Sequence, residues 1–170
     1  MKRLGFDFNW NSCIGANNWF LTPFKEELLE EKPDGSKIIR DSQGLITLVK
    51  PGVVSIPAEI GTTLTDRSVW EELYLPKFQW DDSRVNKELF KTLASVENRE
   101  IPLGLHCGSL YGNIRNMLGV QELSYLYVDD EDLYVEIIDA VANLAYKCVE
   151  EILKTGAIFD YAHFWADNCF

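Results

Sequence analysis

The chain has 170 residues, an apolar share of 46% with five Trp, and a net charge of −11 at pH 7. That length suits one domain, the apolar share suffices for a packed core and excludes a disordered chain, and the acidic balance excludes nucleic acid or an anionic membrane as partner, because no basic patch offsets phosphate repulsion. No apolar run approaches ~18 residues and Met1 to Gly5 lacks the core of a signal peptide, so a cytoplasmic protein with no membrane span is expected.

Leu4 to Ser12 alternates apolar and polar residues, as a half-buried strand does, and Gly15 to Asn18 reads as loop. Pro23-Phe24 predicts a helix through Glu31, with Pro in the first turn and acidic side chains on a solvated face; Pro33-Asp34-Gly35 stops it. Lys37 to Arg40 and Leu45 to Val49 are β-prone runs around Asp41-Ser42-Gln43-Gly44, which predicts an antiparallel hairpin with Gly44 at positive φ. Val53 to Ile56 offers a third short strand. Thr65 or Asp66 can cap a helix that turns Val69, Trp70 and Leu73 inward and ends at Pro76. Ser83 can cap the next, with Val85, Leu89, Phe90 and Leu93 as its apolar stripe.

The last third reads as strand, helix, long helix, strand. Ile101 to Leu105 is a short apolar run that ends in His106-Cys107-Gly108, and a helix from Gly108 to Leu118 is closed by Gly119. Asp129 or Asp130 caps a long helix in which Tyr134, Ile137, Val141, Leu144, Cys148 and Ile152 recur every three or four residues, until Thr155-Gly156 ends it. Ile158 to Phe164 is the returning strand. Two parallel strands joined by helix, with polar groups at both carboxyl ends, is how α/β proteins build active sites.

Those ends supply the candidate chemistry. His106 is a polar residue at a strand tip, and Asp167 could orient a substrate amine or hydroxyl, act as a general base, or cap a following helix. Asn9, Trp10 and Asn11, with Asn17, Asn18 and Trp19, form a polar-aromatic set near the first strand's carboxyl end that suits a flat or methylated ligand or, equally, a core. The turn Cys107-Gly108-Ser109 opens a helix and can offer backbone N–H groups to an anion, or serve only tight packing against Pro102. Cys13, Cys107, Cys148 and Cys169 show no paired metal spacing, as free thiols of a cytoplasmic protein would.

Taken in order, Leu4-Gly5-Phe6-Asp7, Asp34-Gly35 with Arg40 to Gly44, Thr65 to Glu71, Gly108 to Gly119, the Asp129-Asp130 helix and His163-Phe164-Trp165-Ala166-Asp167 resemble the uroporphyrinogen decarboxylase superfamily, in particular its methyltransferase-like, corrinoid-linked branch. The resemblance spans nearly the whole chain and implies an α/β fold, a (β/α)8 barrel about twice this length. The chain would be one partial barrel domain over 1–170 with a β-hairpin inserted at about 37–49, lacking the opening strand and the carboxyl-terminal half. The implied function is methyl transfer between a small methylated substrate or thiol and a corrinoid, with a corrinoid protein as partner and oligomerisation allowed. Porphyrinogen decarboxylation, and a non-catalytic half-barrel that binds a tetrapyrrole or a partner subunit, stay open beside it.

The candidate catalytic residues are therefore Asp167 and His106, and the candidate substrate contacts Asn9, Asn11, Tyr111 and Trp165. Asp167 follows an aromatic run as the methyltransferase branch has it, whereas Tyr111 lies a few positions before the decarboxylase tyrosine. The arginine-bearing segment of the decarboxylase has no counterpart, and its strand-end aspartate has none near Cys13 to Gly15; Asp7 would fit only with a shifted register. In the methyltransferase branch zinc is held by a His-x-Cys pair and a later Cys. His106 and Cys107 are adjacent, so strand alternation points them to opposite faces. No metal or cofactor is therefore assigned to this segment; zinc or a corrinoid would belong to the full-length protein.

Overall fold

The computed structural model describes residues 13–54, 56–94 and 102–165, so the strand expected over Leu4 to Ser12 lies outside the described residues. The described chain forms two sheets: a parallel one of order β1-β6-β7 and a separate antiparallel one of order β2-β3-β4-β5. β1 is Cys13–Ile14, β2 Glu27–Glu31, β3 Lys37–Arg40, β4 Leu45–Val49, β5 Ala58–Thr62, β6 Gly104–Gly108 and β7 Tyr161–Phe164. This corrects the partial (β/α)8 barrel. Between β1 and β6 the chain builds four antiparallel strands and a run of helical turns, so strand and helix do not alternate, and three parallel strands are too few to close on themselves.

The hairpin forms where the turn residues place it. Lys37 pairs with Val49 and Arg40 with Ile46, Gly44 sits at φ 89°, and the Asp41 carboxylate accepts from the N–H of Gln43 at 2.8 Å and of Leu45 at 2.9 Å. It is not an isolated insertion but the centre of the four-stranded sheet. Glu27–Glu31, expected as the end of a helix, is strand β2, paired antiparallel with β3 and joined to it by the Arg40–Glu27 ion pair at 2.6 Å. Ladder pairing overrides the helix propensity of Glu and Leu. The strand expected at Val53 to Ile56 is displaced to β5, because the turn at Gly52 (φ 72°) leaves Val53, Val54 and Ile56 exposed. β5 ties this sheet to the helices: the Thr62 hydroxyl donates to the Met117 carbonyl at 2.9 Å, and the Glu59 carboxylate accepts from the Val120 N–H at 3.1 Å.

Asp66 caps α1 (Arg67–Val69), accepting from the Val69 N–H at 3.0 Å, and the chain continues as a π turn over Trp70–Tyr74 and a 3-10 turn over Leu75–Phe78. Pro76 therefore sits inside the helical run rather than ending it. The run buries Trp70, Tyr74 and Phe78 and leaves Leu73 44% exposed, so the inward face follows a spacing of four. Ser83 lies within a short 3-10 turn, Asp82–Arg84, capped by Asp81; α2 (Lys87–Ala94) starts after Asn86, whose side chain accepts from the Leu89 N–H. Val85 and Phe90 are buried as expected, while Leu89 is exposed.

After β6 come α3 (Tyr111–Leu118), α4 (Val120–Asp129) and α5 (Glu131–Leu153). Gly119, at φ 79°, closes α3, but the chain restarts at once as α4. α5 is the long helix expected: Asp130 caps it and Ile137, Val141, Leu144, Cys148 and Ile152 are buried, with Leu133 inside in place of Tyr134. Its face divides between two cores. One packs Leu133 to Cys148 against the aromatic set Phe20, Trp70, Tyr74 and Phe78; the other packs Ile152 against Phe90, Leu105 and Cys107. β6 and β7 are parallel neighbours, as the two late apolar runs predict, although β6 starts three residues later than expected.

Candidate functional site

Strand alternation divides β6 into two faces. Leu105 and Cys107 point into the core under α2 and α5, so Gly104 and His106 belong to the opposite face. Register across the sheet then fixes the neighbours: Cys13, Gly104 and Tyr161 form one row, and His106 lies opposite His163 in the next. Each row depends on a glycine. A Cβ at Gly104 would fall 2.5 Å from the Tyr161 ring and 2.7 Å from Cys13 Sγ; without one, Tyr161 crosses the strand and its hydroxyl meets that sulfur at 3.2 Å. A Cβ at Gly15 would lie 2.7 Å from the His106 carbonyl oxygen, so only glycine lets β1 run this close to His106.

The central feature is the imidazole pair. Nδ1 of His106 lies 3.3 Å from Nδ1 of His163, the rings are 5.5 Å apart between centroids, and both side chains are half-buried. One Nδ1–H donates and the other Nδ1 accepts, so the neutral pair holds opposite tautomers. Burial, and then the neighbouring His163, hold the His106 pKa below its ordinary value. A first added proton can be shared across the contact; a second would set two N–H groups against each other. The neutral pair thus offers one unprotonated ring nitrogen as a proton acceptor.

The other expected site residues are placed as follows. Tyr111 opens α3 and lines a cleft with Leu110, Ile114, Leu123, Tyr134 and Ile138, apart from the imidazole pair. Trp165 follows β7, donates its N–H to the Gly108 carbonyl at 3.2 Å and lays its ring on Gly112, where a Cβ would come within 2.5 Å. Asn9, Asn11 and Asp167 lie outside the described residues. Cys107 is buried with its thiol pushed up by burial, and faces the helices while His106 faces away, so the adjacent pair does not converge on one ion. Among the described residues no three His, Cys, Asp or Glu side chains form a metal-sized group, and the donor set does not fit the His-x-Cys zinc centre that the resemblance implies.

Sequence reasoning sets His163 aside as a structural histidine and does not single out Cys13 or Tyr161 as site residues. The available signal was the shared period of two in Gly104-x-His106 and Tyr161-x-His163, which puts a small or polar residue on one face of each strand. Comparison of the chain with protein-family models, with curated proteins and with solved structures gave no match. The imidazole pair and its row of thiol and phenol therefore carry the functional argument themselves.

Proposed function

We propose that the face of the parallel sheet bearing His106 and His163 is a small-molecule site, and that the chain serves methyl transfer between a small methylated substrate or a thiol and a corrinoid. The observation that supports this reading is the 3.3 Å contact between the two imidazoles, because methyl transfer to a thiol needs a proton acceptor. In the reading, a thiol S–H gives its proton to the unprotonated Nε2 of the imidazole whose Nδ1–H donates across the pair, as the S–C bond forms. The carbon–cobalt bond of the methylcorrinoid substrate breaks and its electron pair stays on cobalt. Cys13 and Tyr161 lie one row away on the same face of the sheet.

The test follows absorbance as the protein is mixed with methylcobalamin and 2-mercaptoethanol. The expected result is demethylation above the protein-free rate, slowed by about 10²- to 10⁴-fold in the double variant His106→Asn with His163→Asn, the usual contribution of general acid–base catalysis. A rate equal to the protein-free control, or one the double variant leaves unchanged, refutes the proposal.

A further inference from the structure

We infer that the flank of α5 beside β7 is the interface of a two-fold dimer, in which α5 of a second copy lies antiparallel to it and covers β7. The inference goes beyond the methyl-transfer reading and does not depend on it.

α5 carries two apolar stripes. The first, Ile137, Val141, Leu144 and Cys148, is buried in the cores. The second is the same pattern moved on by one residue: Ile138, Ala142, Ala145 and Val149, all half-buried. One residue is about 100° of helical turn, so the second stripe lies on the side of α5. Val135, Tyr146 and Leu153 continue it outwards and are exposed. Apolar residues at intervals of four and three on a further face form the seam against which another helix packs.

The sheet leaves room for that helix. β7 is an edge strand, and alternation turns Tyr161 and His163 to one face, Ala162 and Phe164 to the other, where both are exposed. Phe164 meets α5 across a hollow of about 270 Å³, whose α5 side is Ala142, Ala145, Tyr146 and Val149. Strands of a parallel sheet are ordinarily covered on both faces. Here the helix side of β7 is bare beside a helix flank of matching character.

The occupant is a second copy because the face is complementary to itself. Tyr146 and Phe164, each 71% exposed, stand at the same hollow, and a two-fold interface needs projection and recess on one patch. A two-fold axis between Ala145 and Tyr146 sets Ala145 opposite Tyr146, Ala142 opposite Val149 and Ile138 opposite Leu153 of the other helix. Small side chains thus meet larger ones at the centre, and none of these positions is charged. The two exposed rings present roughly 100–180 Å² each. With Leu110, Val135, Leu153 and the half-buried stripe the face offers on the order of 500 Å², so two copies reach the ~1,000 Å² at which specific interfaces begin. A small apolar ligand in the hollow would leave Val135 and Leu153 uncovered.

The test is sedimentation velocity on the intact chain over a dilution series through the micromolar range. The expected result is a species of twice the 19.5 kDa chain mass that dissociates on dilution. Tyr146→Lys changes an exposed residue next to the axis and should weaken the dimer by about a hundredfold or more, since both copies lose the ring. Val54→Lys, on the exposed loop between β4 and β5, should leave it unchanged. Far-UV circular dichroism checks that each variant is folded, and Phe164→Lys replaces Tyr146→Lys if the latter is not. A monomer throughout the series overturns the inference. So does an assembly of any size that the folded interface variant still forms, or one that Val54→Lys weakens equally. Mass is read here and not turnover, so this result and that of the methyl-transfer assay are separable.

Discussion

Arg84 gives the sharpest test of what holds the sheet-to-helix loops in place. The side chain is 2% exposed, and all its described hydrogen bonds end on main-chain carbonyls: Nε to Gln79 at 3.0 Å, one terminal nitrogen to Asn17 at 3.0 Å and Trp19 at 2.6 Å, the other to Lys77 at 2.7 Å. It thereby pins the loop after β1 to the helical run that ends at Phe78. Burial lowers its pKa, but a guanidinium keeps its charge, so all four bonds are charge-assisted. Taken singly each would be worth about 1.5–3 kcal/mol, but the four share one side chain and the loops can readmit water, so they do not add. Arg84→Met is expected to cost about 3–5 kcal/mol, the range for stranding a buried polar network. With a urea slope of about 2 kcal/mol per molar, the midpoint should fall by roughly 1.5–2.5 M. Arg67→Met is the matched control, since the Arg67–Glu136 pair is partly exposed (40% and 39%) and should move the midpoint far less. Equal midpoint shifts for the two variants would refute the claim that burial, not charge, sets the value of Arg84.

Two further outcomes follow from the site. Gly104→Ala forces the Tyr161 ring off Cys13 and should cost about 1–3 kcal/mol, whereas Gly61→Ala in β5, whose new methyl meets nothing within 4 Å, should stay within about 0.5 kcal/mol; thermal melts of both would decide it. For pH, the His106 pKa is lower folded than its ordinary 6.5, so the unfolded chain binds the proton first as pH falls. Its stabilising contribution is present above about pH 6.5 and is lost as pH falls through that value towards the lower folded pKa. Urea midpoints between pH 7.5 and 5.5 should therefore decline more steeply for the wild type than for His106→Gln; parallel slopes would show that His106 titrates normally.

The elements legible in the sequence are those whose signals are local. α5 carries its own cap at Asp130, its own stripe and its own stop at Gly156, and the β3–β4 hairpin carries Asp41 and Gly44 in its turn. β2 was not legible because Glu27-Leu28-Leu29-Glu30-Glu31 is made of helix formers, and only its partner β3 makes it a strand. The barrel expectation failed in the same way: parallel β6 and β7 were readable one by one, but the number of parallel strands depends on what the intervening chain pairs with.

The candidate site turned on a slip of three residues. With a strand over Ile101 to Leu105, His106 stands beyond the tip, a lone polar group with no cross-strand neighbour. With β6 at Gly104–Gly108 it lies within the ladder, opposite His163, and the ladder shifts register only after that pair. Neither position hints at the other, since the two are separated by α3, α4 and α5 and meet only through pairing. Alternation, by contrast, does not depend on register: wherever the strand begins, Cys107 must face away from His106. That is why the sequence could set aside a joint metal site at His106-Cys107, yet could not find the imidazole pair that the strand pairing assembles.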